Sequence, residues 1–180
     1  MNNRIVFAMF QEFQRRGFSV LRFNFRGIGR SQGRYDQGHG ELSDGASALD
    51  WLESFNPNAS ECWIGGYSFG AWIGMQLMMR RPEIKRFIAV SPPAGGQDFS
   101  FLAPCPASGL IVHGERDEVV PIQAVGKLVN KLSNQKNISI EYHIVPGADH
   151  FYSTGMDNLT RAISGYLDRV LATPSKPAPV

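Results

Sequence analysis

Apolar residues recur along this chain at two spacings, one helical and one typical of strands. Helical spacing puts Ile5, Met9 and Phe13 on one face of a segment from Asn3 to Arg16. The same spacing predicts further helices over residues 40–55, 71–81, 121–132 and 154–171. Short runs rich in β-branched and aromatic residues predict strands over residues 18–25, 62–66, 85–91, 108–113 and 138–145. Strands and helices therefore alternate through most of the chain.

This alternation is typical of an α/β fold in which helices cross over between parallel strands. We predict a doubly wound, mostly parallel sheet, formed by a single domain over residues 1–172. The Pro-rich residues 173–180 are expected to form a disordered tail. Functional sites in such sheets lie at the carboxyl ends of the strands. Candidate site residues should therefore follow predicted strands directly.

Composition narrows the class of protein. The chain has 180 residues, of which 43% are hydrophobic and 19% charged, as expected for one globular domain. A net charge of +2 with scattered basic residues does not favour binding to nucleic acid or to a membrane surface. No apolar stretch approaches the length of a membrane span, and the two cysteines form no disulfide framework. We expect a soluble cytoplasmic protein, either a monomer or a homodimer.

A glycine-flanked serine follows the predicted strand over residues 62–66. Residues 66–70 read GYSFG, which matches G-x-S-x-G, and an apolar helical segment follows. This order predicts a nucleophile elbow that raises the Ser68 hydroxyl above the sheet. Both flanking glycines are expected because a Cβ there would clash with the strand or with the helix start. The backbone N–H of Phe69 is the expected oxyanion donor.

Ser68 needs a base, because a free hydroxyl is a poor nucleophile near neutral pH. His150 follows the last predicted strand, and an imidazole can accept a proton and return it. Asp117 follows the preceding predicted strand and can fix the tautomer of His150. Glu115 and Glu118 flank Asp117, so spacing alone leaves them as alternatives.

The remaining candidates are weaker. Asp149 adjoins His150, but neighbouring side chains in an extended segment point in opposite directions. His113 and His143 are expected to be structural, and His39 to be exposed to solvent. The histidines show no metal-ligand spacing with carboxylates or cysteines. We therefore predict neither a metal nor a cofactor.

Two loops lie beside these positions in the predicted fold. Residues 26–33 are glycine-rich, but their spacing is not that of a phosphate-binding motif, and a tight turn near the site is expected. Residues 92–106 are rich in Pro, Gly and Ser and contain Phe99, Phe101 and Leu102. This segment is expected to be either a short lid that contacts substrate or a plain surface loop.

Together these motifs resemble those of the α/β-hydrolase superfamily, and within it the small cap-less bacterial hydrolases of the dienelactone-hydrolase-like kind. The resemblance runs from about residue 2 to residue 171. It rests on FNFRGIGRSQG at 23–33, GYSFG at 66–70, HGERDEVVP at 113–121 and GADHF at 147–151. It implies that Ser68 is the nucleophile, Asp117 the acid and His150 the base. Dienelactone hydrolases carry a cysteine nucleophile, so the serine indicates an esterase-like enzyme.

The chain departs from the superfamily at its N-terminus. Members begin with a strand pair and a further central strand, and the loop after that strand supplies a second oxyanion N–H. The missing central strand would lie between the predicted strands at 18–25 and 62–66. The resemblance therefore leads us to expect an N-terminally shortened form of a longer hydrolase. These two strands would then pair directly or leave open edges.

The expected function is hydrolysis of a small carboxylic ester or thioester through an acyl-enzyme on Ser68. Tyr67 and Phe69 flank the serine, and they are expected either to line the substrate pocket or to pack into the core. Two alternatives remain open. The first is a serine peptidase that acts on short peptides. The second is a catalytically weak hydrolase-fold protein that serves as a binding module.

Overall fold

A parallel β-sheet forms the centre of the computed structural model, which describes residues 2–172. The strands are β1 (Cys62–Tyr67), β2 (Ile84–Val90), β3 (Ser108–Gly114) and β4 (Ile140–Val145). The helices are α1 (Arg4–Gln14), α2 (His39–Ser54), α3 (Phe69–Met78), α4 (Ile122–Ser133) and α5 (Met156–Ala172). The strands lie in the order β1-β2-β3-β4, and each neighbouring pair is parallel. The predicted fold class is confirmed.

Helices cover both faces of this sheet. Side chains alternate along β2, so Phe87 and Ala89 join the apolar cluster that includes residues of α3 and α4. Ile88 and Val90 point the other way and join residues of α1 and α5. Burial on both faces explains why this strand reads as a nearly continuous apolar run. No helix within residues 2–172 is long and apolar enough to cross a membrane.

The predicted strand over residues 18–25 is wrong. These residues form no strand ladder with any part of the chain that the structure describes. The Phe18 ring lies 5.7 Å from the Trp63 ring, and the Phe25 ring lies 5.7 Å from the Phe69 ring. The segment thus follows β1 in the same direction, but through side chains. A strand needs a backbone neighbour at ladder distance, and a local pattern of apolar residues cannot supply one.

β1 is therefore the end strand of the sheet that residues 2–172 form. Gly65, in the middle of β1, is exposed to solvent. Of the two outcomes expected for the segments at 18–25 and 62–66, the structure has the open edge and not direct pairing.

Residues 92–106 form a loop, one of the two forms expected for them. Phe99 and Leu102 are buried in the apolar cluster shared with α3 and α4. The Gln135 side chain donates to the Leu102 carbonyl at 2.7 Å and accepts from the Cys105 backbone N–H at 2.7 Å. Apolar side chains thus anchor the loop in the core, whereas residues such as Gly95, Asp98 and Ser100 are exposed. The predicted tail over residues 173–180 lies outside the described residues.

Candidate active site

Ser68 occupies a sharp turn between β1 and α3. Its backbone angles are φ 50° and ψ −119°, a conformation that costs a non-glycine residue about 1–3 kcal/mol and persists only when the surroundings hold it. The Ser68 N–H donates to the Val90 carbonyl at 2.8 Å, which anchors the turn to β2. A Cβ added at Gly66 would lie 2.4 Å from the Gly70 carbonyl oxygen. Only glycine fits at position 66, as expected for an elbow.

Gly70 behaves differently from the expectation. The nearest atom to an added Cβ would be a ring carbon of Phe25 at 4.0 Å, an ordinary contact distance. The prediction that both glycines are sterically required is therefore wrong for Gly70, because the start of α3 leaves room on that side. The close approach of strand and helix depends on Gly66.

Three side chains from distant parts of the chain meet at this turn. His150 Nε2 lies 3.1 Å from Ser68 Oγ, and His150 Nδ1 lies 2.8 Å from Asp117 Oδ2. The Asp117 side chain is fully buried, and that of His150 is 6% exposed. Because a carboxylate only accepts hydrogen bonds, Nδ1 carries the hydrogen, and Nε2 is free to accept the serine proton. The geometry therefore suits proton transfer from Ser68 to His150.

The structure brings Asp117, and not its neighbours, to the imidazole. Its second oxygen, Oδ1, accepts the backbone N–H groups of Val119 and Val120 at 2.9 and 2.8 Å. Glu115 instead accepts a backbone N–H from the loop after β4, at 2.8 Å. Glu118 is exposed to solvent. The turn after β3 thus selects one carboxylate of three.

The other titratable candidates lie outside this group. Asp149 accepts the Ser153 backbone N–H at 2.8 Å, and hydrogen bonds from that residue lower the pKa of the Asp149 carboxyl. His39, at the start of α2, and His143, in β4, are both exposed. Within residues 2–172, no three histidine, cysteine, aspartate or glutamate side chains are grouped as metal ligands would be.

Phe69 begins α3, so its backbone N–H has no acceptor within the helix. Its ring contacts those of Phe25, Tyr35 and Trp72, with centroids 5.7, 5.9 and 5.7 Å away. The Tyr35 side of this group faces solvent, since Tyr35 is 64% exposed. An aromatic surface therefore lies beside the serine. The role of the Phe69 N–H as oxyanion donor stays a prediction.

Tyr67 lies against the candidate base. Its hydroxyl donates to the His150 carbonyl at 3.0 Å, and the two ring centroids are 5.3 Å apart. Burial raises the pKa of Tyr67 to about 12, so the hydroxyl keeps its hydrogen at neutral pH. The ring also packs against the apolar cluster beneath α1 and α5. Of the two expectations for Tyr67, core packing describes these contacts; contact with a substrate stays a prediction.

Several residues behind the site have structural roles that no motif in the sequence indicated. A Cβ at Gly114 would lie 2.5 Å from the Ala148 carbonyl oxygen, so the end of β3 closely approaches the loop that carries His150. Ser91 and Tyr152 are fully buried with φ of 45° and 52°, and their hydroxyl oxygens are 3.4 Å apart. Gly114 directly follows the predicted strand over residues 108–113, and this position could have indicated the close approach. Ser91 and Tyr152 belong to no recognisable motif.

Comparison with known proteins agrees with this architecture. A family model described as serine aminopeptidase, S33, matches residues 4–108, and one described as the prolyl oligopeptidase family matches residues 97–173. A protein of unknown function from Agrobacterium tumefaciens, suggested to be an alpha/beta hydrolase, has a solved structure that is 56% identical. The match has a TM-score of 0.95 and covers 99% of this chain and 82% of that one.

Two further relatives are less similar in sequence. A Xanthomonas campestris serine hydrolase without a lid is 30% identical, with a TM-score of 0.84, over 98% of this chain and 77% of that one. An uncharacterized protein of Rickettsia prowazekii (strain Madrid E) is 51% identical over 171 residues, which are 93% of this chain and 72% of that protein. By its fold, the order of its motifs and these similarities, the chain belongs to the α/β-hydrolase superfamily.

Proposed function

We propose that this hydrolase cleaves a small carboxylic ester or thioester, with Ser68 as nucleophile, His150 as base and Asp117 as acid. One observation carries the proposal, namely the continuous path from Asp117 Oδ2 through the imidazole to Ser68 Oγ, with steps of 2.8 and 3.1 Å. Both distances are within the reach that a nucleophile and its base require.

In the proposed reaction, Ser68 Oγ attacks the acyl carbon while its proton moves to His150 Nε2. Asp117 stabilises the imidazolium that forms. The negative oxygen of the tetrahedral intermediate accepts a hydrogen bond from the Phe69 N–H. His150 then returns the proton to the departing alkoxide or thiolate, leaving an acyl-enzyme. Water gives a proton to His150 as it attacks the acyl-enzyme. His150 passes that proton to Ser68 Oγ as the bond to the acyl carbon breaks and the carboxylic acid is released.

Aromatic surfaces flank the proposed reaction centre on two sides. Phe69 and Tyr35 lie beside the nucleophile. Phe151 lies beside the base; it is 63% exposed, and its ring centroid is 5.4 Å from that of His150. Covering an exposed aromatic ring with an apolar group is energetically favourable, because it removes apolar surface from water. They favour a substrate with an apolar group next to the reacting carbonyl.

A second candidate is a serine peptidase acting on short peptides. The descriptions of both matching family models name peptidases, which favours it. A cap that would enclose a short peptide does not come from residues 92–106, because these pack into the core. The aromatic surroundings of the proposed reaction centre favour a small ester over a peptide.

A fluorophosphonate probe tests the proposal directly, because it reacts with an activated serine irrespective of the natural substrate. We expect the wild-type chain to be labelled, and Ser68→Ala to remain folded without label. A panel of short-chain nitrophenyl esters, acyl thioesters and aminoacyl nitroanilides then separates the candidates. Hydrolysis of esters or thioesters supports the proposal, and hydrolysis of anilides alone supports the peptidase. A folded wild-type sample that takes no label contradicts both and supports a binding module.

A further inference from the structure

Asp117 faces two buried histidines, of which the proposed mechanism uses one. His113, in β3, has a fully buried side chain. Its Nδ1 lies 3.8 Å from Asp117 Oδ2, the same oxygen that His150 Nδ1 approaches to 2.8 Å. A separation of 3.8 Å is too long for a hydrogen bond, and His113 Nδ1 has no partner among the described residues. A buried polar atom without a partner needs an explanation.

The other ring nitrogen identifies the tautomer. His113 Nε2 lies 3.0 Å from the Val120 carbonyl oxygen, which can only accept. Nε2 therefore carries the hydrogen, and Nδ1 presents a lone pair towards Asp117. Burial lowers the pKa of His113, so the ring is uncharged near neutral pH. An uncharged ring leaves the full negative charge of Asp117 to act on His150.

Val120 links this histidine to the acid. Its carbonyl accepts from His113 Nε2, and its own N–H donates to Asp117 Oδ1 at 2.8 Å. His113 belongs to a strand that pairs on both sides, whereas Asp117 and Val120 belong to the loop that follows it. The strand therefore anchors the loop that carries Asp117 through the hydrogen bond from His113 to the Val120 carbonyl.

We propose that His113 is a positioning residue that holds the Asp117 carboxylate against His150 through Val120. The expected effect of His113 on turnover rests on the proposed function. The Asp117–His150 hydrogen bond that His113 is inferred to hold exists without substrate. His113 makes no contact with the reacting atoms in this scheme. Replacing the His113 side chain should weaken the Asp117–His150 hydrogen bond. It should not change how substrate reaches Ser68.

The test compares two variants of similar size. His113→Gln can donate an amide N–H to the Val120 carbonyl, whereas His113→Leu cannot and leaves that carbonyl unpaired. Proton NMR detects the His150 Nδ1 hydrogen bonded to Asp117 as a strongly downfield signal. We expect this signal in the wild type and in His113→Gln, and its loss or upfield movement in His113→Leu. With an ester substrate, kcat should fall about tenfold in His113→Leu at unchanged KM, and stay within about threefold in His113→Gln.

Several outcomes would overturn the inference. A folded His113→Leu variant that keeps the wild-type downfield signal is one. A nitrogen-15 spectrum of the wild type that gives His113 the Nδ1–H tautomer is another, and it decides the matter even when His113→Leu does not fold. The NMR measurements need no turnover, so they judge His113 separately from the proposed function. That function fails instead when the wild type takes no fluorophosphonate label.

Discussion

The strands that precede the candidate nucleophile and the candidate acid differ in their surroundings. β3, which precedes Asp117, pairs with β2 and β4, and six of its seven residues are buried. β1, which precedes Ser68, has β2 as its one ladder partner within residues 2–172, and Gly65 in its middle is exposed. The acid thus follows a strand in the interior of the sheet, whereas the nucleophile follows a strand at its edge.

This difference shows which contacts hold the site. The Ser68 N–H bonds inward to Val90 of β2, and the tight contact at Gly66 lies within the elbow itself. On the outer side, residues 18–25 approach β1 through aromatic rings. The nucleophile and the acid are therefore held by contacts with the interior strands β2 and β3, and the outer segment contributes side chains beside the serine. Three pairs of substitutions test this division, and they are ordered from the largest expected effect to the smallest.

Asp117→Asn removes the charge of the candidate acid, and we expect the largest effect from this substitution. The amide leaves the imidazole without its anion and favours the wrong tautomer, so kcat for an ester should fall about 10⁴-fold, with the fold retained. Glu118→Gln, at the exposed neighbouring position, is the matched control and should keep wild-type turnover. Steady-state kinetics measures both. A loss below about tenfold in Asp117→Asn would mean that the buried carboxylate does not serve the base.

Gly66→Ala tests the elbow. Its Cβ would meet a backbone carbonyl at 2.4 Å, and backbone cannot move aside as a flexible side chain can. The free energy of unfolding should fall by about 3 kcal/mol, the upper range for overpacking. Gly70→Ala is the control, since an added Cβ there has no neighbour nearer than 4.0 Å. Urea denaturation measures both variants, and equal losses would refute the steric account of the elbow.

Two valine-to-alanine substitutions, one in each region, compare how much each region contributes to the free energy of unfolding. Val112, in β3, is fully buried, whereas Val20, in the segment beside β1, is partly buried. Val112→Ala should lower the free energy of unfolding by about 2 kcal/mol, through two lost methyl groups and the cavity they leave. Val20→Ala should lower it by less than about 1 kcal/mol. Similar losses in urea denaturation would show that the outer segment is as firmly packed as the interior.

Local patterns of apolar residues were sufficient to predict most of the helices and strands. Periodicity predicted five helices and four of the strands near their observed bounds, because spacing directly reflects which faces are buried. The strand at 18–25 failed although its composition is right, because a strand also requires a backbone neighbour. Residues 92–106 form a loop, one of the two forms that were expected. Their composition is that of a loop, but Phe99 and Leu102 turn into the core.

The sequence by itself determined the parallel α/β architecture and identified Ser68 and His150 as candidates, because a short motif and chain order encode them. The family resemblance indicated Asp117, whereas spacing left Glu115 and Glu118 open; the tertiary structure brought Asp117 to His150 and put His113 beside it. Such choices depend on distances between residues far apart in the chain. Periodicity along the chain carries no record of those distances, and only the packed sheet brings the groups together.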